Sequence, residues 1–304
     1  MHKIFTSQSL TYPFIVGLLL ILIGQSCSQP KESQPEPESI EVTGIFAPQN
    51  LVAWCVVPFD KLERGPMERA KMLNELGFKK FAYDWRDKHL PEFPEEVEAL
   101  RQNQVELTSV WWWIDGQGDE LLSKGNKQWL HYLDSLNIAC DIWMSFDDRF
   151  FEGLDDSEML EKATNAVVAL SQEASKVGAT LQLYNHGSWF GDPKNQIRII
   201  ENSGLTDIGI IYNFHHGHQQ IEEFEQLINI MMPYLNTVNI NGMNPDGPKI
   251  LTVGEGVAER DMLAILKESG FKGNIGIIGH LEEEDVRVVL ERNLVGLHDI
   301  AVGL

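Results

Sequence analysis

The chain has 304 residues, 43% of them hydrophobic, which is enough for a sizeable core and excludes a disordered protein. Its formal net charge of -21 repels phosphate backbones, so nucleic acid is excluded as a partner and neutral small molecules and cations remain. The three cysteines, Cys27, Cys55 and Cys140, form no CxxC pair, so neither a thiolate zinc site nor a redox dithiol is expected.

The chain opens on the weakly positive Met1-His2-Lys3, and Phe14 to Ile23 is apolar apart from the neutral Gly17. A membrane span needs about 20 residues, so this stretch has the length of a signal-peptide core. Gly24-Gln25-Ser26-Cys27 follows at once and resembles a bacterial lipoprotein signal, in which the cysteine becomes the lipidated N-terminus. Ordinary cleavage and an uncleaved anchor are the alternatives. Ser28 to Val42 is rich in Ser, Gln, Pro and Glu and has no apolar period, as a tether would. The expected division is therefore signal peptide 1–26, lipidation at Cys27, flexible tether 27–48 and folded domain 49–304. It implies a cell-envelope protein touching the membrane through its N-terminal lipid alone.

From residue 50 a short apolar run and an amphipathic stretch alternate. The predicted strands are Leu51–Val57, Lys79–Trp85, Glu106–Trp113, Ile138–Phe146, Thr180–Tyr184, Asp207–Tyr212, Thr237–Asn241 and Asn274–Gly279. Their centres are continuous apolar runs, as in a parallel sheet covered on both faces. The predicted helices are Pro66–Leu76, Pro94–Arg101, Asn126–Leu136, Asp156–Val177, Pro193–Ser203, Gln220–Met232, Glu259–Ser269 and Glu282–Asn293. Most end at a Gly, Asn or polar break, as at Val177-Gly178. The alternation predicts an α/β fold, a single closed (β/α)8 barrel of the TIM type. No GxGxxG follows the first strand and no P-loop occurs, so a nucleotide-binding sheet lacks its fingerprint.

A barrel of this kind carries its chemistry at the C-terminal ends of its strands. Of the nine histidines, six fall there: His89, His186, His215, His216, His218 and His280. Neutral imidazoles from several strands can move protons or bind a metal. Each could also be a packing histidine. His186, His216 and His280 are the candidate catalytic groups, and the same three are the candidate ligands of a divalent metal of unspecified identity. Asp84, Arg86, Asn185, Asn213 and Asn241 offer donors and acceptors to substrate hydroxyls; Asp84 and Arg86 could equally be a structural ion pair. Alternation along Trp111-Trp112-Trp113 sends Trp111 and Trp113 to one side and Trp112 to the other. Trp113 is a candidate platform for a sugar ring, with core filling as the alternative. Gly242 to Gly256 is long for a loop of this type, so it is either a lid bringing Lys249 to the site or a solvated surface loop. Cys55 and Cys140 read as buried thiols or, if they adjoin, as a disulfide.

These strand ends resemble the xylose isomerase-like barrels, often called sugar phosphate isomerases/epimerases. The segments that carry the likeness are Phe81-Ala82-Tyr83-Asp84-Trp85-Arg86, Asn185-His186-Gly187 with Trp189-Phe190-Gly191, and Tyr212-Asn213-Phe214-His215-His216. Asn239-Ile240-Asn241-Gly242-Met243 and Ile277-Ile278-Gly279-His280 complete it. Together they look like an envelope-associated branch. The resemblance implies a small-molecule sugar or glycoside as partner and proton removal next to a sugar carbonyl. It also implies a metal held by Glu, Asp, His and Glu on four late strands. This sequence departs from that pattern: Tyr184, Asn213, Asn239 or Asn241, and Gly279 beside His280 stand at those places, and only His216 keeps the family residue. Some barrels of this type resemble 3-keto-glycoside lyases or hydratases, which suits an envelope glycoside better than a sugar phosphate. A catalytically inactive sugar-binding lipoprotein is the competing reading.

Overall fold

The structure, a computed structural model, describes residues 42–116 and 120–304. The expected signal peptide, Cys27 and the first part of the tether lie outside the described residues. Eight parallel strands close into one barrel in sequence order, the last pairing back onto the first. They are β1 (Leu51–Trp54), β2 (Lys80–Tyr83), β3 (Glu106–Ile114), β4 (Asp141–Phe146), β5 (Thr180–Tyr184), β6 (Gly209–Asn213), β7 (Leu235–Ile240) and β8 (Asn274–Ile278). The helices between and after them are α1 (Pro66–Glu75), α2 (Phe93–Gln102), α3 (Lys124–Ser135), α4 (Asp156–Ser175), α5 (Pro193–Ser203), α6 (Phe224–Met231), α7 (Glu259–Glu268) and α8 (Val286–Val302). Among the described residues, no helix is long and apolar enough to cross a membrane.

Local chemistry explains the small departures from expectation. The domain begins before residue 49: Ile45 and Phe46, an apolar pair after a polar tether, are buried in a short 3-10 turn against the barrel. The acidic run Glu282–Asp285 does not open α8. Asp285 instead caps it, accepting from the Arg287 N–H, and a capping carboxylate holds its own backbone outside the helix. The stretch before α6 is a 3-10 turn, His218–Glu223. Cys55 and Cys140 are buried free thiols.

Each strand buries both faces. In β1, Leu51 and Ala53 join the core under the helices, while Val52 and Trp54 point into the barrel. The inner cluster is aromatic near the C-terminal rim. Trp54 packs on Trp143 at 4.9 Å between ring centroids, and Trp111 on Tyr184 at 5.0 Å. Large flat rings fill the narrow barrel and form the floor on which the rim residues stand.

Candidate active site

A cavity of about 890 Å³ opens at the C-terminal ends of the strands, in the size range of small-molecule sites. His186 after β5, His215 and His216 after β6, and His280 after β8 all line it, together with Asp84 and Asn213. The imidazoles adjoin one another. Ring centroids are 4.5 Å apart from His186 to His216, 4.4 Å from His216 to His215 and 5.2 Å from His215 to His280. Burial favours the uncharged form of each ring, because an imidazolium loses its hydration there, and the neighbouring rings add to the penalty. His216 is pushed down to about 2 and His280 to about 4, while His186 and His215 also sit below the usual histidine value.

Among the four adjoining imidazoles, His215 has a backbone oxygen to set its tautomer. Its Nδ1 lies 3.2 Å from the Lys249 backbone oxygen, which can only accept, so Nδ1 carries the hydrogen and Nε2 the lone pair. The sequence reading favoured His216. The short 3-10 turn Phe214–His216, set by the Asn213 side chain accepting from the His215 N–H, brings His215 to the cavity as well. His216 packs between His186 and Tyr184. Two other rim histidines are structural: the Nδ1 of buried His89 accepts from the Arg86 N–H at 3.0 Å, and both ring nitrogens of His218 face backbone oxygens of Asn244 and Lys249.

Asp84 follows β2. Its Oδ1 accepts from the N–H groups of Val56 and Val57, at 3.3 and 3.2 Å. Cys55, with φ of 54°, turns the chain after β1 into the left-handed region just before those two N–H groups. Asp84 Oδ2 is buried with no hydrogen-bond partner. Burial pushes the carboxyl up to about 6 against the lowering pull of Arg86 and the backbone N–H groups. No ion pair joins Asp84 to Arg86 among the described residues; the exposed Arg86 lies over the Phe59 ring, 5.7 Å from its centroid.

The remaining expected residues divide. Trp113 lines the cavity with Trp111, their rings stacked at 6.2 Å, while Trp112 is fully buried in the outer core. Asn213 lines the cavity and bonds the Tyr184 hydroxyl. Asn185 does not reach it, because both ends of its amide are used on the Asn213 backbone, extending the β5–β6 pairing. Asn241 turns its amide to the Gly242 and Lys249 oxygens. The loop after β7 is tied down: Glu259 accepts from the N–H groups of Met243, Gly254 and Gly256, and Asn293 from that of Val253. The Lys249 side chain is exposed and does not line the cavity, and its backbone oxygen is what meets the histidines.

The expected metal ligands His186, His216 and His280 all line the cavity; His280 adjoins His215, and His186 adjoins His216. Among the described residues, no group of three or more His, Cys, Asp or Glu side chains is placed to hold an ion. Uncharged residues fill the positions where carboxylates would stand. The Tyr184 hydroxyl accepts from Trp54 Nε1 at 2.9 Å and meets the Asn213 amide, and Asn239 is wholly buried. Neutral amides and a phenol do not replace the anionic oxygens that a hard divalent cation needs.

No protein-family model matches the sequence, and no curated protein matches it either. Solved structures do match. A 3-keto-D-glucoside 4-epimerase from E. coli superposes with a TM-score of 0.64 at 15% identity, over 83% of this chain and 99% of that one. A probable 3-DHS dehydratase from Bacillus anthracis gives 0.62 at 12% identity, over 82% and 98%. The IOLI protein with a bound zinc atom gives 0.57 at 14% identity, over 84% and 97%. The chain has the fold of the xylose isomerase-like TIM barrels.

Proposed function

We propose that this protein is a sugar-active enzyme that removes a proton next to a sugar carbonyl, acting on a 3-keto-glycoside whose glycosidic oxygen then leaves. The observation that carries this reading is His215: an uncharged imidazole with Nδ1–H held by a backbone oxygen and a free lone pair on Nε2, on the wall of a cavity. A base so oriented needs no reorganisation before it takes a proton. Trp111 and Trp113 supply an apolar face for a pyranose ring, and Arg86 supplies a partner for its hydroxyls. Two structural neighbours, an epimerase of a keto-glucoside and a dehydratase, support the chemical class. Zinc in a third is a property of that protein, and no step here runs through a metal. We also propose that Cys27 is lipidated and tethers the barrel to the cell envelope, on the strength of the apolar run and the small residues before it.

The test is turnover of 3-keto-glucosides by the full chain. His215→Ala is expected to lower kcat by about 100-fold or more, the usual contribution of a positioned base. His216→Ala should cost less, acting through the placement of its neighbour. Wild-type binding without turnover across a broad panel of keto-glycosides would favour the sugar-binding protein instead.

A further inference from the structure

We propose that Asp84 donates the proton that the departing glycosidic oxygen requires, within the cavity that His215 also lines. The proposal rests on the elimination described above and adds its second proton-transfer group.

Four observations point to it. Asp84 and His215 line one cavity, and ring contacts lead from one side to the other: His215 lies 5.2 Å from His280, which packs at 3.8 Å on Phe59, the ring that Arg86 covers. The two backbone N–H groups pin Oδ1, leaving Oδ2 as the oxygen without a partner in a side chain only 3% exposed. The strained Cys55 turn leads directly into those donors, and strain of this kind collects where geometry has to be held. Finally, the other carboxylates on the cavity wall, Asp87 and Asp115, are less buried than Asp84. A carboxyl in a poorly solvated pocket is a recognised acid for glycosidic oxygen.

The step balances. His215 Nε2 takes the proton from the carbon next to the carbonyl, leaving an enolate; as the C=O bond re-forms, that electron pair becomes the new C=C bond. The glycosidic C–O bond breaks with its pair going to oxygen, and Asp84 Oδ2–H protonates that oxygen. The products are an unsaturated keto sugar and an alcohol. Water carries the proton from the imidazolium back to the carboxylate, and no oxidant or reductant is needed.

The experiment compares methyl and p-nitrophenyl 3-keto-glucosides in deuterated water, using the full chain and its Asp84→Asn variant. Asparagine keeps an oxygen for the Val56 and Val57 N–H groups. Asp84→Asn should release methanol at least about 100-fold more slowly, yet lose less than about fivefold on the p-nitrophenyl substrate, whose phenolate leaves unaided. It should still exchange deuterium into the carbon next to the carbonyl. Equal losses on both substrates, or no loss on the methyl glycoside, would overturn the role of Asp84 and leave the elimination standing. A wild type that neither exchanges nor releases would overturn the elimination, and the role of Asp84 with it.

Discussion

Asp84 and His215 are held in opposite protonation tendencies by the same cause. Burial disfavours charge, so it raises a carboxyl and lowers an imidazole. A base that is neutral and an acid that still carries its proton then coexist below about pH 6. Turnover of poor leaving groups is expected to fall as pH rises through about 6, and Asp84→Asn should remove that limb of the profile. The charged and titratable groups sharing that end of the cavity are Arg86, Asp87 and Lys88 beyond β2, Cys55 after β1 and His280 after β8. Stability follows the same sign. The folded value is raised from the ordinary 3.8 to about 6, so the contribution of the protonated form is complete below 3.8 and lost as pH rises through 6. A shift of that size is worth about 3 kcal/mol. Asp84→Asn should therefore raise Tm at pH 8 by several degrees relative to wild type and change it little at pH 4, as thermal unfolding would show. At this scale the sequence was informative about residue type and less so about choice. It placed six histidines on the rim, but whether His215 or His216 presents a free lone pair depends on a backbone oxygen 34 residues away in sequence.

β3 shows how much an element can be read in advance. Its period of two separates Trp112 from Trp111 and Trp113, and the structure keeps that division. The two sides predict different losses. Trp112 is fully buried and its indole N–H has no partner, so Trp112→Ala should destabilise by about 3–5 kcal/mol in denaturant unfolding, while Trp112→Phe should recover most of it. Trp113→Ala should leave stability nearly unchanged and raise KM by about tenfold, because stacking on a ring is worth on the order of 1 kcal/mol. A Trp113→Ala variant with unchanged KM would remove the platform from the site. The loop after β7 shows the opposite case. Its length and its Asn-Pro-Asp-Gly-Pro run suggest a lid. What ties it down is Glu259 at the start of α7 and Asn293 within α8, and contacts between distant elements leave no local signal. The same holds for Asn185, whose polar side chain at a strand end looks available until its partner on the next strand is known.

For the whole molecule, the alternation of eight apolar runs and eight amphipathic stretches was sufficient to specify the closed barrel, because few other layer arrangements bury both faces of every strand. Closure then fixes which rim groups oppose one another, and that is where the chemistry departs from the metal pattern the family resemblance implies. Tyr184 and Asn213 bond each other and Asn239 is buried where anionic ligands would stand, leaving a site of imidazoles and one buried carboxyl. The most direct test is deuterium incorporation into the carbon next to the carbonyl of a 3-keto-glucoside, measured by NMR with full-length protein stripped by a strong chelator. Exchange at an unchanged rate, lost in His215→Ala, is the predicted result. Exchange that disappears on stripping and returns only with zinc or magnesium would contradict it.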